Sequence, residues 1–369
     1  MILYLHGAPA FGAVERYVVQ LVQGLAGREE AVLAYPDVPA LEPFRALAAP
    51  EVRLRPLDPA LVAGPAPALA AAVRRLVREE RPRLVHVTDT WAPALVAARL
   101  AGAPRILLTH HTPELPRADS LAGRAWTALS WATRPEVVYT SATDRRGDGR
   151  RLLRTHVVEL GIDLDRFVQA RPPAAGTAGP AVATAPVAAP GAPVVATVAR
   201  LARQKGLDVL VAAAPAVLAR HPQARFLVAG DGEERAALAA QARAAGVDGA
   251  IAFLGDRADV PELLAGATLF ALPTRFEGLC LAVVEAQAAG LPVVATPVGG
   301  IRETVVPEET GLLVPVDDAA ALAEAVCRLL DDPALAARLA AEGRRRALER
   351  FSVQRMVQRT LAVYGPPAG

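Results

Sequence analysis

Short apolar runs alternate with longer segments in which Ala and Leu recur at helical spacing, and the alternation persists along almost the whole chain. In the first half the runs predict strands near Ile2–Leu5, Ala31–Tyr35, Arg83–Thr88, Arg105–Thr109, Glu136–Ser141 and His156–Glu159. The helical period predicts helices near Ala13–Gly27, Pro67–Glu80, Ala92–Ala101 and Ser120–Thr133. The second half restarts with strands near Val194–Ala199, Arg225–Ala229, Ile251–Leu254, Thr268–Leu272, Pro292–Thr296 and Leu312–Val314. Its helices are expected near Leu207–Ala219, Glu233–Ala245, Leu279–Ala289, Ala319–Leu330 and Pro333–Arg350. Short apolar strands joined by helical crossovers argue for parallel sheets, so the expected fold class is α/β with a parallel sheet and crossover helices in both halves.

Between Arg171 and Pro193 the chain runs through Pro, Ala, Gly and Thr with neither period nor charge after the first residue. This stretch reads as a linker or surface insertion over 171–192, dividing a first domain of residues 1–170 from a second of 193–350. At 369 residues the chain exceeds the size at which a single core stops growing, and 53% apolar residues can fill two cores. The net charge of +2, from 40 basic and 38 acidic residues, leaves no electrostatic footprint for nucleic acid. Cys280 and Cys327 lie in apolar helical patterns without metal-ligand spacing and make no disulfide framework, which fits a reducing, intracellular setting. The opening Met1-Ile-Leu-Tyr-Leu5 is too short for a signal-peptide core and has no basic leader. No apolar run of about 18 residues follows, so a soluble or peripherally membrane-associated, cytoplasmic protein is expected.

In open parallel α/β sheets, ligands sit beyond the carboxyl ends of the strands. His6, Gly12, His110, His111, Arg200, Lys205, Asp231, Thr274 and Glu277 all fall just after predicted strands. Lys205 is the only lysine of the chain; every other basic residue is arginine. A compact ammonium suits a crowded phosphate, and Arg200 and Lys205 together suit a diphosphate held from two sides; the alternative is an exposed residue at a helix start. Glu277 and Glu285 straddle the next strand-to-helix turn. Glu285, set among Leu281, Val283, Val284, Ala286 and Ala288, needs hydroxyl or cationic partners, which a ribose diol or an arginine would supply. Glu277, beside the amides of Gly278, Leu279 and Cys280, suits sugar and phosphate oxygens, or simply complements the positive end of the helix.

The run from Val198 to Val314 resembles the donor-binding half of the retaining enzymes of glycosyltransferase family 4. The matching pieces, in order, are Val198-Ala-Arg-Leu-Ala-Arg-Gln-Lys-Gly206, Phe226-Leu-Val-Ala-Gly-Asp-Gly232, Phe253-Leu-Gly255, Leu272-Pro273, the Glu277/Glu285 pair with Ala286 to Thr296, Val298-Gly-Gly-Ile-Arg-Glu303 and Thr310-Gly-Leu-Leu-Val314. The first half is similar to the same family through Gly12-Ala-Val-Glu-Arg16, where Ala13 replaces a second expected glycine, Thr109-His-His-Thr112 and Gly161-Ile-Asp-Leu-Asp-Arg-Phe167. The resemblance implies the GT-B fold, two doubly wound, Rossmann-like domains facing across a cleft, with acceptor binding in the first and donor binding in the second. It returns the helix expected over Phe351–Tyr364 to the first domain.

The same resemblance implies transfer of a sugar from a nucleoside-diphosphate sugar, the co-substrate, to a glycan, lipid-linked or small-molecule acceptor. It puts Arg200 and Lys205 on the diphosphate, Glu285 on the ribose, Glu277 with Gly278, Leu279, Cys280 and Leu281 around sugar and phosphate, and Gly12 and His111 beside the transferred sugar. Cys280 stands where glycine is frequent, and its side chain narrows the sugar pocket. Positive charge would take the place of a metal, and the acceptor would attack from the face the diphosphate leaves, without an enzyme nucleophile.

Other signals point elsewhere. Gly230-Asp-Gly232 lacks the third glycine of a dinucleotide fingerprint, and the adjacent His110 and His111 have no third metal ligand in evidence. Arg145, Arg146, Arg150, Arg151 and Arg154, after Trp126 and Trp131, read as a solvated loop beside a packed helix, or as a peripheral contact with an anionic membrane surface. An epimerase or hydrolase of the same fold, or a non-catalytic partner subunit, are the rival functions.

Overall fold

The computed structural model describes residues 1–8, 13–25, 27–46, 52–63, 66–89, 91–111, 128–129, 132–147, 153–171 and 191–366. Gly12, Trp126, Trp131, Arg150, Arg151 and nearly all of the segment 171–192 lie outside the described residues. The chain forms two compact units, Met1–Gly161 with Val353–Gly369, and Ile162–Ser352.

The first unit is built on strands β1 (Ile2–Leu5), β2 (Ala31–Pro36), β3 (Val52–Leu57), β4 (Leu84–Val87), β5 (Ile106–His110), β6 (Glu136–Tyr139) and β7 (Thr155–Val157). They pair in the order β3-β2-β1-β4-β5-β6-β7, all parallel, with Ile2 opposite both Ala31 and Leu84. The second unit carries β8 (Val194–Val198), β9 (Arg225–Ala229), β10 (Ile251–Gly255), β11 (Leu269–Leu272), β12 (Val293–Ala295) and β13 (Leu312–Leu313), in the parallel order β10-β9-β8-β11-β12-β13. The central strands β1, β4, β11 and β12 are buried throughout, which explains why they read as unbroken apolar runs.

Strand β3 is the one the hydrophobic pattern does not reveal. Val52 and Leu54 are half-buried, while Arg53, Arg55 and Pro56 are exposed, as suits an edge strand that a proline and charges protect from further pairing. Arg53 and Arg55 close on Glu80 at 2.8 and 2.7 Å, tying this edge to the helix Ala66–Glu80.

The division between units falls after Gly161, earlier than 170. Ile162 donates its N–H to the Phe351 carbonyl at 2.8 Å, and the helix Leu164–Val168 packs on helices Val260–Ala265 and Leu281–Ala288, so this segment belongs with the second sheet. The chain then returns to the first unit as the helix Val353–Tyr364, which packs on the helix Ala13–Gly24 where Gly24 leaves room for Val357. Arg83 and Arg105 donate to the Tyr364 carbonyl at 3.0 and 2.7 Å, and Arg105 also to that of Val363 at 2.7 Å. Two guanidinium groups thus satisfy carbonyls that the helix C-terminus leaves unbonded. No described helix is long and apolar enough to cross a membrane.

Candidate active site

In each sheet the strand order reverses its direction of growth once, between β1 and β4 and between β8 and β11. At such a switch point the flanking loops diverge and open a crevice beyond the strand ends.

In the second unit the loops after β8 and β11 are fastened to each other. Gly206, at φ +65°, brings the first loop so close that a Cβ there would lie 2.0 Å from the Pro273 carbonyl oxygen. Arg275 donates to both carboxylate oxygens of Asp208 at 2.9 and 2.7 Å, to the Arg203 carbonyl at 2.6 Å and to Asp317 at 2.8 Å. This hydrogen-bonded pairing holds the Asp208 carboxyl below its usual range. Gln204 donates to the Phe276 carbonyl at 2.8 Å, and the Arg275 amide donates to the Gln204 carbonyl at 2.8 Å.

The fastening delivers Lys205 to Glu277. The Lys205 ammonium donates to Glu277 Oε1, and the Thr274 hydroxyl lies 3.3 Å from the same oxygen. The side chains of Lys205 and Glu277 are 19% and 8% exposed, so the pair is neither a surface contact nor fully cut off from water. A third loop closes from β12: Gly299, at φ +47°, lies where a Cβ would be 1.7 Å from the Glu277 carbonyl oxygen, and the Gly300 amide donates to the Gly278 carbonyl at 2.6 Å.

The other predicted residues surround this pair unequally. The helix begins at Leu281, later than its sequence pattern suggests, leaving Gly278, Leu279 and Cys280 as a turn before it. Among the described residues no hydrogen bond engages the amides of those three, which stand beside a helix N-terminus. Cys280 is buried in the left-handed region at φ +63°, a conformation that suits glycine; burial pushes its thiol well above the ordinary range, and Glu277 adds to the rise. Glu285 is half-buried within the helix. Arg200 is exposed, with no side-chain partner among the described residues, so it does not share the Lys205 pair.

The switch point of the first unit is polar as well. His6 Nδ1 and Thr88 Oγ1 are 3.0 Å apart, His6 Nε2 is 3.2 Å from Glu15, and the Gly7 amide donates to Asp89 at 3.0 Å. Burial pushes the Asp89 carboxyl above its usual range. His111 Nε2 is 3.0 Å from the Thr88 carbonyl, which accepts, so Nε2 carries the proton. Its Nδ1 has no partner among the described residues. Burial brings the His111 imidazole down to about 4 and that of His86 to about 3, so both are neutral at pH 7. Sequence reasoning named His6 and His111 but missed Asp89 and Arg275; the signals were Thr88-Asp89 at a strand end and an arginine set between Thr274 and Glu277.

The two histidines make the first unit acid-labile. Between their folded values and the ordinary value of about 6.5, the unfolded chain binds protons that the folded chain refuses. The rings therefore cost nothing above about pH 6.5 and destabilise the fold progressively as the pH falls toward about 4 for His111 and about 3 for His86. Calorimetric melting temperatures should fall through that window, and a flat profile from neutrality to pH 4 would contradict the burial of these rings.

Residues 192–332 match the family described as glycosyl transferases group 1, and residues 14–166 match glycosyltransferase family 4. A GDP-mannose-dependent monoacylated alpha-(1-6)-phosphatidylinositol monomannoside mannosyltransferase of Corynebacterium glutamicum is 32% identical over 80% of this chain and 79% of its own. The chain belongs to glycosyltransferase family 4. A glycogen synthase of Mycobacterium tuberculosis is 31% identical over 78% of this chain and 69% of its own. The crystal structure of Anabaena HepE in complex with UDP superposes with a TM-score of 0.80 at 23% identity, covering 98% of this chain and 99% of that one, which shows the GT-B fold. As a family 4 glycosyltransferase the protein transfers sugar from a nucleotide-sugar donor to an acceptor.

The Arg275 clamp holds the loop that carries Lys205 and, among the described residues, makes no hydrogen bond to Lys205 or Glu277. Arg275→Lys keeps the charge but cannot grip Asp208 with two parallel hydrogen bonds. The variant is expected to raise the donor KM by about fivefold, the equivalent of about 1 kcal/mol, with kcat little changed in steady-state assays.

Proposed function

We propose that this glycosyltransferase moves a hexose from a nucleoside-diphosphate sugar to a glycan, lipid-linked or small-molecule acceptor, with retention of anomeric configuration and without a metal. The observation that carries this reading is the Lys205–Glu277 pair at the β8/β11 switch point, framed by three fastened loops and a turn of unengaged amides. An ammonium has three N–H donors, so pairing with Glu277 leaves two for phosphate oxygens. Arg200, exposed on the same loop, supplies a fork for the second phosphate, and the amides of Gly278, Leu279 and Cys280 face the charge that develops on the leaving diphosphate. Glu285 accepts from the ribose diol, and Glu277 orients sugar hydroxyls. In the first unit, His111 and the Gly12 loop serve the transferred sugar and the acceptor.

The step requires no covalent intermediate. The acceptor hydroxyl attacks the anomeric carbon from the face the diphosphate leaves, the glycosidic C–O electrons go to the leaving phosphate, and a phosphate oxygen takes the acceptor's proton. The names of the relatives set the candidates to test. GDP-mannose and a phosphatidylinositol mannoside belong to the Corynebacterium enzyme, and UDP is held by the Anabaena protein. A lipid acceptor would place the protein at the periphery of a membrane, for which exposed Arg145, Arg146 and Arg154 offer cationic contacts.

The test is product analysis with a GDP- and UDP-sugar panel and lipid or glycan acceptors. An α-linked product from an α-linked donor, formed equally with and without EDTA, is expected. An inverted anomer, loss of turnover with EDTA, or nucleotide release equally fast without acceptor would each refute the reading.

A further inference from the structure

The core of the first unit contains a continuous chain of polar groups where hydrocarbon would pack as well. Tyr4 and Tyr364 hydroxyls are 3.0 Å apart, Tyr364 Oη and His86 Nδ1 2.6 Å, His86 Nε2 and Thr109 Oγ1 2.7 Å, and Thr109 Oγ1 and Tyr17 Oη 3.3 Å. All five side chains are buried. The Tyr17 ring then meets the His111 ring edge-on, with centroids 5.2 Å apart and planes at 70°. His86 is neutral and so has one N–H and one lone pair; it can serve both neighbours only if one donates to it and the other accepts from it. The hydroxyls on either side are therefore ordered in one sense, and removing one disturbs the next. At the amino ends of β4 and β5, the Tyr364 backbone is pinned by Arg83 and Arg105.

We propose that Tyr364, on the returning C-terminal helix, is a positioning residue for His111, acting through His86, Thr109 and the Tyr17 ring. Its functional consequence rests on the reading that His111 serves the transferred sugar, whereas the physical coupling does not. A helix that re-enters the first unit at the chain's end thereby sets the orientation of a ring at the carboxyl end of β5. The buried hydroxyl of Tyr364 connects the two, and a phenylalanine there would keep the packing and break the connection.

The test compares full-length wild-type, Tyr364→Phe and Tyr4→Phe by the imidazole nitrogen chemical shifts of His111 and by steady-state kinetics. Tyr364→Phe is expected to move the His111 shifts and lower kcat by about tenfold, with the donor KM unchanged within about twofold. Tyr4→Phe removes an equally buried hydroxyl one link further from His111, leaves the Tyr364–His86–Thr109 links in place, and is expected to move the His111 shifts less and to keep kcat within about twofold of wild type. Should Tyr364→Phe not fold, Thr109→Val cuts the same chain beyond His86 and is expected to give the same His111 signature. His111 shifts that stay at their wild-type values, or equal changes in the Tyr364 and Tyr4 variants, would overturn the proposal. If the shifts move while both Tyr364→Phe and His111→Ala keep wild-type kcat, the coupling stands and the role given to His111 falls.

Discussion

Lys205→Ala is expected to lower kcat/KM by about 10²- to 10³-fold, the range found when one preorganised charge-stabilising donor is removed, while the chain remains folded. Lys205 is part of an ion pair whose partner keeps the Thr274 hydroxyl 3.3 Å away, and its own side chain is 19% exposed. Glu277 is nearly buried, so leaving its carboxylate with the Thr274 hydroxyl alone should cost about 1–3 kcal/mol of stability. The loss in turnover has a separate origin, because in the proposed mechanism the ammonium acts on charge that grows as the diphosphate departs. Lys205→Arg separates charge from shape: a planar fork replaces a rotating ammonium at a site that Gly206 and Pro273 crowd, and partial rescue at best is expected. Wild-type kcat/KM in Lys205→Ala would remove Lys205 from the chemistry.

Gly299→Ala is expected to cost at least about 3 kcal/mol and to abolish donor turnover, although Gly299 itself bears no functional group. Two penalties add. A side chain at φ +47° pays about 1–2 kcal/mol for the left-handed conformation. Its Cβ would also fall 1.7 Å from the Glu277 carbonyl oxygen, a backbone atom that can yield only by displacing Glu277 and Gly278. Gly102→Ala provides the comparison: its φ is +83° but nothing lies within 4 Å, so only the conformational penalty applies. Urea titrations should separate the two variants by about 2 kcal/mol. Equal midpoints would mean that the β12 loop does not press on the Glu277 turn.

The sequence made the strand-and-helix alternation plain because parallel strands buried on both faces are short, apolar and regularly spaced. Where burial is one-sided the signal fades: β3 alternates Val52 and Leu54 with Arg53 and Arg55, and its Pro56 reads as a break. The apolar pattern starts this helix at Leu279, two residues before Leu281, because Leu279 and Cys280 are as apolar as the helix itself, and only the left-handed φ of Cys280 marks the boundary. At the site, residue types at strand ends suggested Lys205 and Glu277 separately; that they pair depends on Gly206, Arg275 and Gly299, whose work is done through space and leaves no periodic trace. The polar chain from Tyr364 to Tyr17 is invisible for the same reason, since its members are scattered from residue 4 to residue 364.

The most direct measurement is the melting temperature of wild-type and Lys205→Ala protein across a panel of GDP- and UDP-sugars. At a ligand concentration about 100 times Kd, binding stabilises by about 2.7 kcal/mol, which a thermal scan resolves. One nucleotide sugar raising the wild-type midpoint by several degrees, with the rise largely lost in Lys205→Ala, is the predicted result. An identical rise in the variant, or no rise with any nucleotide sugar, would contradict the placement of the donor diphosphate at Lys205.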